Sequence, residues 1–307
     1  MKILNSAVIL SVSMAGLAGC GGSSGSTTPP TVPTNPTVPT NPTVDFTSVS
    51  NIPANGTTNF VGTSRSVSAE YDGAGFITRL FNFSGPDEAT GSEKTENGFT
   101  TALSVNAPGV NASFDSKNGD TFSSDGTTVS AISANGQYEG ISIDVAANGY
   151  EYQSFGFWYN NVAPLRTNVA AGSFGARTAS GALPLGTTAR YNGTSMGLAV
   201  DGSGETFGTA STVEVSTNFS TASISSSSTV AASAITGTVI PASQSAQIDF
   251  SGSGPVSGSG FNAFVSGPSV SGSANGQFYG PNAQEVGGTF GLAGSGIDYI
   301  GSFGAKQ

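Results

Sequence analysis

Residues 276–307 close the chain with the sequence GQFYGPNAQEVGGTFGLAGSGIDYIGSFGAKQ, in which bulky aromatic residues stand beside glycines. Side chains alternate across a strand, so each face of a strand in Glu285–Leu292 or Tyr299–Ala305 mixes large apolar groups with glycine. A flat sheet gains little from such a face. A curved sheet gains because glycine permits the bend and neighbouring rings cover the space it vacates. The sets that share one face are Val286, Gly288, Phe290 and Leu292, and Tyr299, Gly301, Phe303 and Ala305.

The pattern of the rest of the chain from Asp45 onward predicts further short strands. Apolar residues alternate over short runs and do not recur at helical spacing over any long window. NG and DG dipeptides such as Asn97-Gly98 mark tight turns. The candidate strands are Ser66–Tyr71, Gly75–Phe81, Thr128–Ile132, Tyr138–Val145, Tyr150–Tyr159, Ala189–Val200, Ser211–Phe219, Gln247–Phe250, Gly260–Val265, Ser271–Tyr279, Glu285–Leu292 and Tyr299–Ala305.

These patterns predict an all-β protein with two folded domains. Residues 163–186 are mostly small and polar, and Pro164 and Pro184 interrupt regular structure near the two ends of the segment. We therefore place a domain junction there. Closing the second sheet would remove its exposed edges, and eight strands leave an interior just wide enough for side chains. We therefore expect a β-rich domain over residues 45–180 and an eight-stranded antiparallel β-barrel over residues 181–307. Gly288 should lie on the inner face of that barrel, with Thr289 pointing outward.

Composition excludes several classes of function. The 307 residues include 44 glycines, charged residues make up 9%, and the formal net charge is −10. A negative balance argues against nucleic acid or an anionic membrane surface as partner. The chain has no histidine, and Cys20 is its only cysteine. Ser-His and Cys-His catalysis and His-ligated metals or haem therefore lack their central group, and we expect neither an enzyme nor a metal site.

The N-terminus reads as a lipoprotein leader. A short apolar stretch, Ala7–Leu17, follows Lys2 and suits a signal peptide of residues 1–19. Leu17-Ala18-Gly19-Cys20 resembles the bacterial lipobox, which implies that Cys20 is acylated, with palmitate for example, and anchors the protein to a membrane. The residue after Cys20 is Gly21 and not the aspartate of inner-membrane retention, which favours the outer membrane. A stray cysteine in an ordinary signal peptide is the alternative.

Residues 20–44 form a Pro/Thr-rich tether. The hexamer PTVPTN occurs at Pro30–Asn35 and again at Pro36–Asn41. Proline at every third position favours extended polyproline II and opposes helix and sheet pairing. The segment predicts a spacer that could reach on the order of 70 Å and hold the folded part clear of the lipid surface. A recognition motif for a proline-binding groove is the alternative.

The C-terminal residues resemble a known family. The run Gly276–Phe290, followed by Ile300–Lys306, looks like the C-terminal barrel signature of the transferrin-binding protein B family, and Tyr191-Asn-Gly193 is similar to the opening strand of that barrel. The family also includes related haemoglobin-receptor and factor H-binding surface lipoproteins. The resemblance implies a lipidated tether, a β-rich "handle" domain and a barrel domain. This chain has room for one such lobe, whereas transferrin-binding members have two.

Three motifs that suggest chemistry have simpler explanations. Gly193-Thr-Ser195-Met-Gly197 matches the serine-hydrolase elbow pattern, but no histidine is present to act as its base. Asp115–Asp120 hints at a calcium loop, although a lysine holds its third position, and a plain turn is favoured. Asp144 and Glu151 could in principle serve as a glycosidase pair, a spacing that the sequence does not define.

The densest aromatic cluster, Phe155-Gly-Phe157-Trp158-Tyr159, supplies the candidate ligand-binding residues Trp158 and Tyr159. Strand aromatics usually pack inward, so core packing is the first interpretation and a ligand platform the second. No cofactor is expected, although haem gripped by a tyrosine remains an alternative because tyrosine is a known axial ligand.

The resemblance implies a non-enzymatic binding protein on the outer membrane, facing the cell surface. Its partner would be a protein ligand or haem carrier, and its purpose the acquisition of iron or haem. It would touch the membrane through the N-terminal lipid anchor only and would not bind nucleic acid. The alternative is a surface interaction protein that binds a host or regulatory factor and has no part in iron uptake.

Overall fold

The computed structural model of the protein describes residues 42–71, 77–163, 166–234 and 236–307. The predicted signal peptide 1–19, Cys20 and residues 20–41 of the tether lie outside the described residues. The strands are β1 Thr43–Asp45, β2 Gly56–Tyr71, β3 Ile77–Glu96, β4 Phe99–Ala107, β5 Val110–Asp115, β6 Thr121–Ser124, β7 Thr128–Ile132, β8 Tyr138–Ile143, β9 Gln153–Ala163, β10 Arg166–Gly175, β11 Ala189–Val200, β12 Thr206–Thr217, β13 Thr221–Ser233, β14 Ser251–Ser257, β15 Gly260–Ser266, β16 Ser271–Tyr279, β17 Glu285–Gly294 and β18 Ile297–Lys306. The described helices are short: α1 Ala242–Ser245 and 3-10 turns at Val49–Asn51, Ser116–Asn118, Ser180–Ala182 and Ala246–Ile248.

Strands β11–β18 form a closed antiparallel barrel in which β18 pairs back to β11. The predicted inner faces are confirmed, since Phe290 and Phe303 are fully buried in one apolar core that fills the barrel. Phe290 contacts Tyr299 with ring centroids 4.8 Å apart and Phe250 with ring centroids 5.0 Å apart. The all-β class and the eight-stranded antiparallel barrel are therefore as predicted from the sequence.

The glycines of the barrel wall stand where neighbouring strands approach very closely. At Gly288, the carbonyl oxygen of Asn275 on β16 occupies the place that a Cβ atom would need. The carbonyl of Gly304 does the same at Gly193, and that of Asn262 at Gly254. A side chain at such a position would displace the backbone of the next strand. Glycine therefore permits tight strand approach at these positions, and its contribution to curvature stays a prediction.

The first ten strands form a second sheet, which we call the handle sheet. Its strand order is β5-β4-β3-β2-β10-β9-β8-β7-β6, and β1 adds to β2 in parallel. The two edge strands approach each other, because Phe114 of β5 and Phe122 of β6 have ring centroids 6.4 Å apart. The sheet therefore curls toward the face that carries Phe114, Phe122 and Trp158, which we call the concave face.

The opposite face of the handle sheet packs against the barrel. Val67 of β2 and Val169 of β10 share an apolar cluster with Ile300 on the outer face of β18. Glycines on the outer face of the barrel make room for handle side chains. An added Cβ at Gly304 would coincide with the ring of Phe155, and one at Gly291 would lie 2.7 Å from Cδ of Arg65.

Several predicted strand boundaries were wrong. Arg166–Gly175, assigned from sequence to the junction, is β10, the strand between β2 and β9 in the handle sheet. Its Val169, Ala170 and Ala171 are all fully buried, because the barrel covers one face and the concave core the other. A strand buried on both faces shows no polar alternation, which explains the error. The sheet ends at Gly175 and the barrel begins at Ala189.

The predicted strand Gln247–Phe250 was also wrong. Residues 246–248 form a 3-10 turn between β13 and β14, and both Ile248 and Phe250 enter the barrel core. Their alternation reflects closure of one barrel end and not strand pairing. Strands β4, β5, β6, β13 and β14 were missed, and the tether's last residues, Thr43 and Val44, belong to β1.

Candidate functional site

A buried polar network joins the handle sheet to the barrel. The side-chain amide of Gln153 on β9 donates to the Val286 carbonyl oxygen at 2.8 Å, in the space left open by Gly287. The Ser173 hydroxyl contacts both Gln153 Oε1 at 3.3 Å and the Tyr279 hydroxyl at 3.0 Å. Buried polar groups that satisfy one another across an interface fix its register. The two domains are therefore held in one defined arrangement.

Glu285 holds the β8–β9 loop to the barrel. Its carboxylate accepts the backbone N–H of Glu151 at 2.7 Å and that of Tyr152 at 3.1 Å. Burial raises the pKa of Glu285, although these hydrogen bonds and the positive charge of Lys306 oppose the rise. The Lys306 ammonium donates to the Asn148 carbonyl oxygen at 2.8 Å.

Thr289 lies on the outer face of β17, as predicted, but it is not exposed. It is fully buried beneath the handle sheet, and its hydroxyl donates to Asn275 Oδ1 at 2.7 Å. The Asn275 side-chain amide in turn donates to the Thr63 hydroxyl on β2 at 3.1 Å. A side chain on the outer face of the barrel at this position is therefore buried in the interface between the two domains.

The two aromatic residues predicted as a ligand platform lie on opposite faces of β9. Trp158 is buried on the concave face, where its Nε1 donates to the Val110 carbonyl oxygen at 2.9 Å and its ring contacts Phe174. Tyr159 faces the barrel side and packs against the apolar cluster of Val67 and Val169. Adjacent residues of a strand cannot share a face, so Trp158 and Tyr159 do not form one site.

Tyr159 lies beside an acidic group instead. Burial raises its pKa well above the ordinary range, and the neighbouring Glu139 carboxylate adds to the effect. Burial also raises the pKa of Glu139, which faces Tyr159 across the β8–β9 pair. Burial also raises the pKa of Tyr71.

The concave side of the handle sheet forms a half-open cavity of about 840 Å³, which we call the handle cavity. Ligand pockets in proteins typically measure about 300–1,000 Å³ and are mostly apolar, so this cavity has the size and character of a ligand site. Trp158 forms part of its wall, which places one of the two predicted residues there and leaves Tyr159 outside. Its aromatic and aliphatic lining includes Phe46, Phe60, Leu103, Val105, Phe114, Phe122, Val129, Trp158 and Phe174.

The handle cavity has few polar features. Among the described residues that line it, the charged ones are Glu93 and Asp144. Glu93 lies on the concave face of β3, accepts a hydrogen bond from the Thr100 hydroxyl, and has its pKa raised by burial. Phe99, at the Asn97-Gly98 hairpin, is 74% exposed and also borders the cavity.

Sequence reasoning missed most of this cavity. Leu103 and Val105 alternate along β4, and Ala112 and Phe114 along β5, although the sequence prediction contains neither strand. The alternation was readable there. What the sequence could not show is that β5 folds back over β9, which places Phe114 opposite Trp158.

The residues of the hydrolase-like, calcium-loop-like and glycosidase-like motifs make ordinary structural hydrogen bonds. Ser195 is buried within β11, where its hydroxyl contacts that of Ser211. Asp120 accepts the backbone N–H groups of Asp115 and Ala134, as a turn residue does. Asp144 accepts from Ser124, and Glu151 accepts from the backbone of Ser50.

The described parts of the chain contain neither a metal-binding cluster nor a membrane-spanning helix. Across those residues, no cluster of three or more His, Cys, Asp or Glu side chains is placed to hold a metal ion. Within the same ranges, no helix has the length and apolar character needed to cross a membrane.

Comparison with solved structures shows distant similarity. A variant of transferrin-binding protein B from Haemophilus parasuis Hp5 has a TM-score of 0.41 and 11% identity, covering 87% of this chain and 78% of that one. A variant from Actinobacillus pleuropneumoniae H49 has a TM-score of 0.42 and 11% identity, covering 80% and 98%. The N-lobe domain of lactoferrin-binding protein B from Moraxella bovis has a TM-score of 0.32 and 10% identity, covering 81% and 98%. Similarity this distant assigns no ligand.

A family match is more specific. No curated protein matches the chain. Residues 183–307 match the family described as the C-lobe and N-lobe beta barrels of Tf-binding protein B. The matched range includes all eight strands that form the closed barrel. Over this range the barrel domain is therefore similar to the barrels of transferrin-binding protein B.

Proposed function

We propose that the protein is a non-enzymatic binding lipoprotein that obtains iron or haem from a protein carrier. The observation that carries the proposal is the family match over residues 183–307, in a barrel to which a handle sheet is docked. Acylation of Cys20 would hold it on the outer membrane. The tether would place it at the cell surface.

A protein carrier is favoured over haem bound directly. The tyrosine hydroxyls of the barrel and its interface are already engaged: Tyr150 donates to Gly304, Tyr191 to Ala283, and Tyr299 accepts from Thr209. Burial raises the pKa of Tyr299 to about 12, which opposes the phenolate form that ligates iron. None of the described residues that line the handle cavity is a tyrosine.

The outer wall of the barrel offers a starting point for the contact with a carrier. Phe264 on β15 is 71% exposed, and Leu185 before β11 is 69% exposed. Exposed aromatic side chains are frequent hot spots in protein interfaces. Phe264 is therefore the first residue to substitute once a carrier is found.

The experiment measures binding of the complete lipoprotein to iron-loaded transferrin, lactoferrin and haemoglobin, with albumin as the control. We expect saturable binding to one iron or haem carrier and none to albumin. A strain that lacks the protein should grow poorly when that carrier is its only iron source. The proposal is wrong if no carrier binds and the deletion strain grows like its parent on all three.

A further inference from the structure

We propose that the handle cavity binds the acyl chain of a single-chain amphiphile with a zwitterionic headgroup, such as a lysophospholipid. The inference does not depend on the proposed carrier, because it concerns the concave face of the handle sheet and not the barrel wall. It names a second ligand class for the protein.

The shape and lining of the cavity favour an acyl chain. Its volume of about 840 Å³ is bounded by aromatic and aliphatic side chains from several strands of the handle sheet. Phe60, Leu103, Val105 and Phe122 are only half-buried, so their apolar surface still faces the open space. A flexible hydrocarbon chain covers such a surface without needing hydrogen-bond partners, and its burial is favourable in proportion to the area removed from water.

The charges around the cavity favour a headgroup that carries an amine. The charged residues among the described lining, Glu93 and Asp144, are both acidic. The chain as a whole carries a formal net charge of −10. A free fatty acid would bring a further carboxylate into this field, whereas the ammonium group of a zwitterionic headgroup is attracted to it.

The cavity contains its own reporter group. Trp158 is the only tryptophan of the chain, and it forms part of the cavity wall. Its ring orientation is fixed by the hydrogen bond from Nε1 to the Val110 carbonyl oxygen and by contact with Phe174. A bromine atom on an acyl chain bound in the cavity would quench Trp158 fluorescence at short range, so occupancy can be measured without a label on the protein.

The test uses the chain from Gly21 onward, which retains both β-sheets and their interface and carries no membrane lipid of its own. Lysophosphatidylethanolamines with brominated chains of 12, 14 and 16 carbons are titrated while Trp158 fluorescence is measured. We expect saturable quenching at one site per chain. Affinity should rise about four-fold for each added methylene until the chain fills the cavity, as the transfer free energy of a methylene predicts.

Variants separate cavity binding from adsorption. Ser142 lies on the concave face of β8 opposite Gly156, so Ser142→Leu should fill the cavity and weaken binding at least ten-fold. Ser113→Leu places the same side chain on the exposed face of β5 and should leave binding unchanged. Phe99→Ala, at an exposed position, should weaken binding several-fold without affecting the fold.

Two results would overturn the proposal. Quenching that does not saturate, or that is equal in Ser142→Leu and Ser113→Leu, would show that the amphiphile adsorbs to the surface only. Palmitate that binds as tightly as the zwitterionic lipid of the same chain length would reject the headgroup assignment. The complete lipoprotein, analysed by native mass spectrometry, should retain one such lipid, and failure to bind a carrier protein would not alter that result.

Discussion

Gly288 and Thr289 are neighbours in β17 whose side-chain positions point to opposite sides of the barrel wall. The inner position of Gly288 has no room, because the Asn275 carbonyl oxygen stands where a Cβ would lie. The outer position of Thr289 is covered by the handle sheet. Both positions are therefore constrained, one by the backbone of the next strand and the other by a second domain.

Gly288→Val should lower the melting temperature. The added side chain must push β16 away from β17, and overpacking typically costs about 1–3 kcal/mol. The higher strand propensity of valine, worth up to about 1 kcal/mol, does not compensate. Thermal melts of the variant and the parent measure the difference. A variant that melts at or above the parent temperature would show that the close strand approach is not rigid.

Thr289→Val should also destabilise, contrary to what an outward-pointing strand residue suggests from sequence alone. The substitution removes the hydrogen bond to Asn275 Oδ1 and leaves that buried oxygen without its donor, at a cost of about 1–3 kcal/mol. Thr289→Ser retains the hydroxyl and serves as the matched control. Urea unfolding of the two variants should rank serine above valine, and the reverse order would mean that the hydrogen bond contributes nothing.

Glu93 gives the handle sheet a pH dependence of known sign. Burial raises its pKa above the value in the unfolded chain, so the native state binds the proton more tightly. The contribution of Glu93 to stability therefore increases as pH falls through the folded pKa toward the unfolded value, and it decreases as pH rises again. The melting temperature should therefore rise when the pH is lowered from 7 to 5.

Glu93→Gln should reduce that gain, whereas Glu88→Gln, at an exposed side chain, should preserve it. Comparison of melts at the two pH values for both variants isolates the residue from the general relief of negative charge. An unchanged gain in Glu93→Gln would place the pH dependence elsewhere.

The strands of the barrel show what the sequence could predict. β11 and β16 have the boundaries expected from their alternation, because one face packs in the barrel core. β13 and β14 are rich in serine and small residues, so no alternation of bulky groups marked them. β10 is buried on both faces, so its sequence predicts a domain junction and not a strand. Pattern reveals a strand only where its two faces meet different environments.

The sequence predicts the residues of the candidate site less well than it predicts the strands of the barrel. The density of aromatics in β9 predicts Trp158 as a candidate residue, and Trp158 lies in the wall of the handle cavity. Tyr159 was assigned with it, although the alternation of β9 already separates the two. The other walls of the cavity come from strands distant in sequence, such as β4 and β6, and no local pattern shows that they meet.

The handle sheet packs so closely on β18 that no room is left for a side chain at Gly304. Gly304→Val would place a branched side chain where the Phe155 ring lies, and should separate the two domains. We expect faster proteolysis of the connecting residues 176–188 and two unfolding transitions in place of one.

Gly208→Val provides the matched control, because no atom lies within 4 Å of an added Cβ on that part of the barrel wall. Strand propensity should make this variant neutral or slightly more stable. Equal proteolysis of the two variants would mean that Phe155 can move aside and that Gly304 is not required for docking.

The protein as a whole is expected to depend on Cys20 for its location. Cys20→Ser should remove the acyl chains, each methylene of which contributes about 0.8 kcal/mol to membrane binding. The variant should appear in the soluble fraction or as uncleaved precursor. Metabolic labelling with palmitate, followed by fractionation, checks both outcomes. Labelling that persists in the variant would remove the basis for a lipid anchor at this residue.

The parallel pairing of β1 with β2 has a mechanical consequence. Thr43 pairs with Thr57 and Asp45 with Asn59, so the chain enters the handle sheet alongside the start of β2 and runs in the same direction. β2 is in turn held by long ladders to β3 and β10. A pull on the segment before Thr43 therefore acts along the strands, which loads their hydrogen bonds in shear. Inter-strand hydrogen bonds loaded in shear share the force, whereas hydrogen bonds pulled apart from one end of a strand pair break one at a time. If Cys20 anchors the protein as proposed, drag on the folded part would load the β1–β2 pairing in shear.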